Sequence, residues 1–121
     1  MKENIVKDKS YAFALRVIKA YKYLNQEQRE FVLSKQMLKS GTAIGALVWE
    51  AEHAQSKADF INKMSISLKE ANETEYWLML LKDSDYIDEK SFVSIYQDCS
   101  ELIRLLISIV KTTKETHVTK K

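Results

Sequence analysis

Apolar residues recur along this chain at spacings of three and four, the spacing of one face of an α-helix. The pattern predicts four helices, at about residues 8–24, 27–54, 57–82 and 88–113, within a single domain spanning residues 1–121. The fourth helix has the most regular stripe, made of Phe92, Ile95, Tyr96, Cys99, Leu102, Ile103, Leu106, Ile109 and Val110. Because little beyond it is apolar, we expect a disordered tail over residues 114–121.

Polar residues mark the boundaries between these helices. Ser56 lies three residues before Asp59, so we expect the Ser56 hydroxyl to accept a hydrogen bond from the Asp59 amide and cap the third helix. Asp88 is the predicted cap of the fourth helix. Since short connections make neighbouring helices antiparallel, the predicted fold is all-α, an antiparallel up-down-up-down four-helix bundle.

Composition supports this fold class and excludes several functions. The 121 residues include no proline and only two glycines, whereas β-folds draw heavily on both residues for their turns. Glycine-rich loops that hold phosphates or dinucleotides are excluded for the same reason.

The two glycines, Gly41 and Gly45, lie on one face of the second helix. Each costs about 1 kcal/mol relative to alanine in a helix interior, so we expect a close helix contact to offset that cost. This helix also has two apolar stripes, the second of which ends at Trp49. Two explanations stay open: the helix is the most central one of a monomer, or Gly41, Gly45 and Trp49 form an interface with another subunit.

The third helix carries two carboxylates on a face that also has large apolar residues. Glu70 and Glu73 lie between Ile66 and Trp77 at helical spacing. Buried carboxylates need cationic partners, for which Lys69 or a lysine of the first half of the chain is the candidate. Glu70, Glu73 and Trp77 are therefore either further interface residues or part of a solvated face.

Charge is unevenly distributed along the chain. Residues 1–48 contain nine Lys or Arg against four Asp or Glu, and residues 49–90 contain five against ten. Basic residues at spacings of three and four form a candidate phosphate-binding surface, consisting of Arg16, Lys19 and Lys22 on helix one and Lys35 and Lys39 on helix two. Tyr23 would add a stacking surface.

No pattern of catalytic or metal-binding residues is found, so we expect no enzymatic activity, cofactor or metal. Glu50 and His53 form a Glu-x-x-His motif, but a di-metal site needs a second such motif and two further glutamates. Cys99 is predicted to be a buried apolar residue and His53 to lie at the surface or a helix end. With one cysteine, no signal peptide and no apolar run near 20 residues, we expect a cytoplasmic protein without a membrane partner.

Three stretches together resemble a known family. They are Ser40–Ala51, Ser56–Ile61 and Lys69–Leu78, which reads Lys-Glu-Ala-Asn-Glu-Thr-Glu-Tyr-Trp-Leu. The chain resembles the four-helix bundle proteins, also called 23S rRNA intervening-sequence proteins, over about residues 8–112. Where the family has a serine and an asparagine in the second helix, this chain has Ala43 and Leu47.

The resemblance implies a four-helix subunit. Through similarity to the accessory protein of diversity-generating retroelements, it also implies a homopentameric ring that binds nucleic acid. That relative is strongly basic, whereas this chain has a net charge of +2. The leading hypothesis is a non-enzymatic oligomeric scaffold that binds RNA or DNA through helix one. The alternative is a protein-interaction adaptor that binds no nucleic acid.

Overall fold

The computed structural model describes the backbone of residues 2–119 and the side chains of residues 4–116. The described chain forms four helices and no strand. They are α1 (Lys2–Gln26), α2 (Leu33–Glu52), α3 (Lys57–Asp83) and α4 (Glu89–Thr119). The predicted all-helical class with four helices is thus confirmed.

Each helix packs against its neighbours in sequence, and α1 also packs against α4, whereas the backbones of α1 and α3 lie farther apart. At one end of α1, Lys7 Nζ lies 2.8 Å from Glu52 Oε2 at the end of α2. At the other end, Asn25 Nδ2 donates a hydrogen bond to Ser34 Oγ at 3.3 Å. The start of α1 therefore lies beside the end of α2, and the end of α1 beside the start of α2.

Buried hydroxyl groups join α2 to α3. Thr74 Oγ1 donates to Ser40 Oγ at 2.9 Å, and Ser67 Oγ donates to the backbone oxygen of Ile44 at 2.9 Å. All four residues are buried. Because a buried polar group is costly without a partner, these hydrogen bonds set the register of α2 against α3.

One apolar core runs between the four helices. The stripe predicted for α4 lies in it, with Cys99 fully buried and the other residues of the stripe either buried or packed against the core. The core extends along α1 as far as Val6 and Phe13. Burial of Val6, which precedes the predicted start at residue 8, explains why α1 extends to Lys2.

The connection between α1 and α2 differs from the prediction. The second helix was predicted to begin near residue 27, but α2 begins at Leu33. The buried Glu30 carboxylate accepts hydrogen bonds from the backbone N–H groups of Val32, Leu33 and Ser34, at 3.1, 2.9 and 2.7 Å. Glu30 thus caps α2 from outside the helix, and Arg29, with φ of 55°, turns the chain in the left-handed region.

Both predicted caps are confirmed. Ser56 Oγ accepts from the Asp59 amide at 3.0 Å, and Asp88 Oδ1 accepts from the Ser91 amide at 2.7 Å. The C-terminal end of α4 lies at Thr119, whereas the sequence predicts a disordered tail from residue 114. The last two residues of that predicted tail, 120 and 121, lie outside the described chain.

Candidate nucleic-acid interface

The lysines of α1 fall into two groups with different surroundings. In its first half, Lys7 pairs with Glu52 and Lys9 Nζ lies 3.2 Å from Glu101 Oε2 of α4. In its second half, Lys19 and Lys22 are exposed, and no carboxylate of the described residues lies within ion-pairing distance of either. The second half of α1 therefore presents positive charge that the fold itself does not neutralise.

Arg16, the third basic residue predicted on α1, has a different position. Its guanidinium forms an ion pair with Asp98 and donates to Ser94 Oγ at 2.9 Å and to the Ser94 backbone oxygen at 3.2 Å. These partners lie on α4, so Arg16 holds α1 and α4 together. The charge of Arg16 is therefore largely neutralised by Asp98, whereas Lys19 and Lys22 have no such partner among the described residues.

The basic residues predicted on α2 are exposed and lie near its beginning. Lys35 and Lys39 have no ion pair among the described residues. Since the start of α2 adjoins the end of α1, these lysines lie at the same end of the molecule as Lys19 and Lys22. Four of the five predicted basic residues, all of them exposed, therefore lie toward that end of α1 and α2.

A groove between α1 and α4 adds residues that sequence reasoning missed. It has a volume of about 750 Å³ and is lined by Lys19 and Tyr23 of α1 and by Lys90, Ser91 and Ser94 near the start of α4. The Tyr23 hydroxyl accepts a hydrogen bond from Gln28 Nε2 at 2.8 Å, which holds the ring in place. The sequence places Lys90 two residues after the predicted Asp88 cap. Only the packing of α4 against α1 brings Lys90 into the same groove as Lys19.

The two glycines do mediate a close helix contact, and that contact is made within the chain. A Cβ atom added to Gly41 would lie 2.8 Å from Val17 Cγ2 of α1, and one added to Gly45 would lie 3.3 Å from the Ser10 backbone oxygen. Gly41 is buried. The explanation that α2 is crowded by a helix of its own subunit therefore accounts for Gly41, which has no surface to offer a second subunit.

Trp49, by contrast, is exposed at 53%. The Lys7 ammonium lies 4.6 Å from the centre of its ring, in a cation–π arrangement. Three further apolar residues lie along the outer face of α1 at spacings of four and three, namely Tyr11, Leu15 and Ile18, all exposed. We call these three residues the α1 outer stripe.

The carboxylate pair on α3 is only partly sheltered. Glu73 is exposed and Glu70 half-buried, and the pKa of Glu70 is raised by burial and by the negative charge of Glu73. Lys69 and Lys39 oppose this rise, so the two expected sources of positive charge both act on Glu70. Trp77 packs against the core with Tyr76 edge-on at 5.1 Å between ring centres.

Cys99 and His53, which the sequence predicts to have structural roles, lie in the predicted places, in the core and at a helix end. Cys99 is buried, its thiol donates to the Ala71 backbone oxygen at 3.4 Å, and burial followed by the charges of Glu75 and Asp98 raises its pKa to about 12. His53 is exposed at the end of α2. Across the described residues, no cluster of three or more His, Cys, Asp and Glu side chains is arranged to hold a metal ion.

Comparison with known proteins gives the family. The model of the family described as 23S rRNA-intervening sequence protein matches residues 2–108. The chain belongs to this family. No curated protein is significantly similar to the chain, and none of the helices in its described part is both long and apolar enough to cross a membrane.

A solved relative of the 23S rRNA intervening-sequence family shares the fold closely. It is a protein of unknown function from the S23 ribosomal protein family of Bacteroides thetaiotaomicron VPI-5482, with a crystal structure at 1.70 Å resolution. The two chains are 60% identical and superpose with a TM-score of 0.91, over 92% of this chain and 99% of the relative. At that identity the same helices and core are expected in both proteins.

Proposed function

We propose that this chain is a non-enzymatic, oligomeric helical scaffold that binds RNA or DNA through the basic end of α1 and α2. The observation that carries the proposal is the contrast along α1. Lys7 and Lys9 are neutralised by carboxylates, whereas Lys19 and Lys22 have no such partner among the described residues. Exposed cations without internal partners are what phosphate contacts require, because those contacts gain affinity by releasing counterions.

Two further findings support nucleic acid as the ligand. Lys35 and Lys39 add two exposed lysines at the adjoining end of α2, and Tyr23 adds an exposed aromatic ring whose hydroxyl accepts a hydrogen bond from Gln28. The Bacteroides relative is named for a ribosomal protein family, which makes RNA the first ligand to test.

The subunit architecture that we propose is the up-down-up-down antiparallel bundle. The order of the contacts supports it, since Lys7 meets Glu52 and Asn25 meets Ser34 between α1 and α2. Between α2 and α3, Ser40 is hydrogen-bonded to Thr74, and Ile44, which is further along α2, is hydrogen-bonded to Ser67, which comes earlier in α3. These contacts therefore also run in opposite order along the two helices.

We further propose that the subunits assemble into a closed ring, a pentamer by resemblance to the retroelement accessory protein. The α1 outer stripe exposes three large apolar side chains, and exposed apolar patches of this kind mark interaction sites. Because α1 and α3 are not neighbouring helices, their outer faces point to opposite sides of the subunit. Contact between the stripe and the Glu70, Glu73 and Trp77 face of the next copy is head-to-tail, the arrangement that closes rings.

Binding of fluorescently labelled RNA and DNA, followed by anisotropy over a salt series, tests the nucleic-acid proposal. Replacing Lys19 and Lys22 by glutamine is expected to weaken binding and to lower the slope of log affinity against log salt by about 0.7 for each lysine on a single strand. Replacing Lys111 and Lys114, exposed lysines near the far end of α4, is the matched control and leaves the slope unchanged. No binding at low salt would overturn the proposal in favour of a protein-interaction adaptor.

Light scattering at micromolar concentration tests the assembly. The wild-type chain is expected to be a ring oligomer, and Leu15→Glu in the α1 outer stripe is expected to yield monomers. Val93→Glu on α4, an apolar position outside the stripe that is also exposed, at 40% against 53% for Leu15, is expected to leave the oligomer intact. A monomeric wild type would refute the scaffold.

A further inference from the structure

The groove between α1 and α4 combines an apolar floor with polar walls. Its floor is formed by Ala20, Leu78, Ile87 and Ile95. At about 750 Å³ it falls within the range of small-molecule sites, which is about 300–1,000 Å³. A groove with such a floor can take a flat apolar group out of water.

Positive charge lies on both walls of this groove. Lys19 lies on the α1 side and Lys90 on the α4 side, and both are exposed. Two carboxylates lie nearby: Asp98 pairs with Arg16, whereas Asp88, which lines the groove, accepts from the Ser91 amide at 2.7 Å and keeps its negative charge. Two ammonium groups against the one carboxylate of Asp88 leave the rim positive on balance, which favours an anionic ligand.

An aromatic ring stands at the edge of the apolar floor. Tyr23 lines the groove and is 43% exposed, and its hydroxyl accepts a hydrogen bond from Gln28 Nε2. The ring therefore offers a face on which a second ring can stack, and base–aromatic stacking tolerates any base.

We propose that this groove receives an unpaired nucleobase, so that the protein prefers single-stranded nucleic acid over duplex. The base stacks on Tyr23 over the apolar floor, and the phosphates on either side of it contact Lys19 and Lys90. A duplex cannot fill the groove, because its bases are paired and stacked and must be extruded first at a cost of a few kcal/mol. The inference rests on the proposed function and names the form of nucleic acid that the same basic surface selects.

The test compares a labelled single-stranded oligonucleotide with a blunt duplex of the same sequence, at one low salt concentration. The single strand is expected to bind more tightly than the duplex. Tyr23→Leu keeps an apolar side chain but removes the ring, and it should weaken single-strand binding by about fivefold or more, the low end for loss of one stacked base. Duplex binding should not change, and Tyr76→Leu, an exposed tyrosine on α3 at 57% exposure, is the control.

A second variant fills the groove without changing its charge. Ala20→Leu is expected to abolish the preference for single strands while leaving salt-dependent duplex binding, with circular dichroism used to verify that the helices are retained. Equal affinities for both forms, unaffected by Tyr23→Leu, would overturn the groove assignment and leave the proposed function standing. Failure of both oligonucleotides to bind would overturn the groove assignment and the proposed function together.

Discussion

The contact between Gly41 and Val17 gives the sharpest test of how α1 and α2 pack. In Gly41→Ala, the added methyl group would lie 2.8 and 2.9 Å from the two Cγ atoms of Val17, distances at which something must shift. Val17 is fully buried, and its β-branched side chain has one strongly preferred rotamer in a helix. The side chain cannot turn away, so α1 must move.

Two opposing effects set the size of the change. Alanine improves on glycine in a helix interior by about 1 kcal/mol, whereas overpacking a core costs about 1–3 kcal/mol. With a stiff, buried neighbour the cost should lie in the upper part of that range. We therefore expect Gly41→Ala to lower the free energy of unfolding by about 1–2 kcal/mol.

Urea unfolding followed by circular dichroism measures this difference directly. Gly45→Ala is the matched control, because its new methyl group would lie 3.3 Å from the Ser10 backbone oxygen, close enough to be tight but not to overlap. We expect its effect to stay within about 0.5 kcal/mol of zero. When Gly41→Ala is combined with Val17→Ala, the added methyl group enters space vacated by valine, so the combined loss should be smaller than the sum of the single losses. A Gly41→Ala protein as stable as wild type, with additive behaviour in the double variant, would refute the close approach of α1.

Three other predictions follow from the connections and the core. Burial alone would raise the pKa of Glu30, but its backbone hydrogen bonds outweigh burial and lower the pKa below its usual 4.5. Its stabilising effect should therefore be full above that pH and lost as pH falls through the lowered value; Glu30→Gln should cost about 1 kcal/mol in urea unfolding at pH 7, and the cost should shrink as the pH is lowered from 4.5. The buried thiol of Cys99, with its pKa raised to about 12, should not react with a thiol reagent at pH 8 until the chain unfolds, and rapid labelling of native protein would contradict its placement in the core. Asp85, which follows α3, has a φ of 66°, a backbone conformation suited to glycine. Asp85→Gly should therefore raise the free energy of unfolding by up to about 1 kcal/mol and raise the melting temperature slightly. A lower melting temperature would show that the Asp85 side chain stabilises the turn.

Local sequence signals were enough to predict the four helices and two of their caps. The stripe of α4 and the cap residues Ser56 and Asp88 depend on neighbours within a few positions, so spacing alone reveals them. The start of α2 was not predictable in this way. Residues 27–32 contain no glycine or proline, and α2 starts late because the Glu30 carboxylate binds three backbone amides.

Which residues of the candidate site carry unpaired charge was not predictable from the sequence. Spacing grouped Arg16 with Lys19 and Lys22, yet only tertiary packing decides which of these charges is neutralised. Asp98 lies 82 positions away from Arg16 along the chain, and no periodicity within α1 indicates that pair. The net charge of +2 is therefore a poor guide to ligand binding, because what a phosphate meets is the charge left after internal pairing. On that measure, the basic end of α1 and α2 is a positive surface, and the rim of the α1–α4 groove presents Lys19 and Lys90 against the single carboxylate of Asp88.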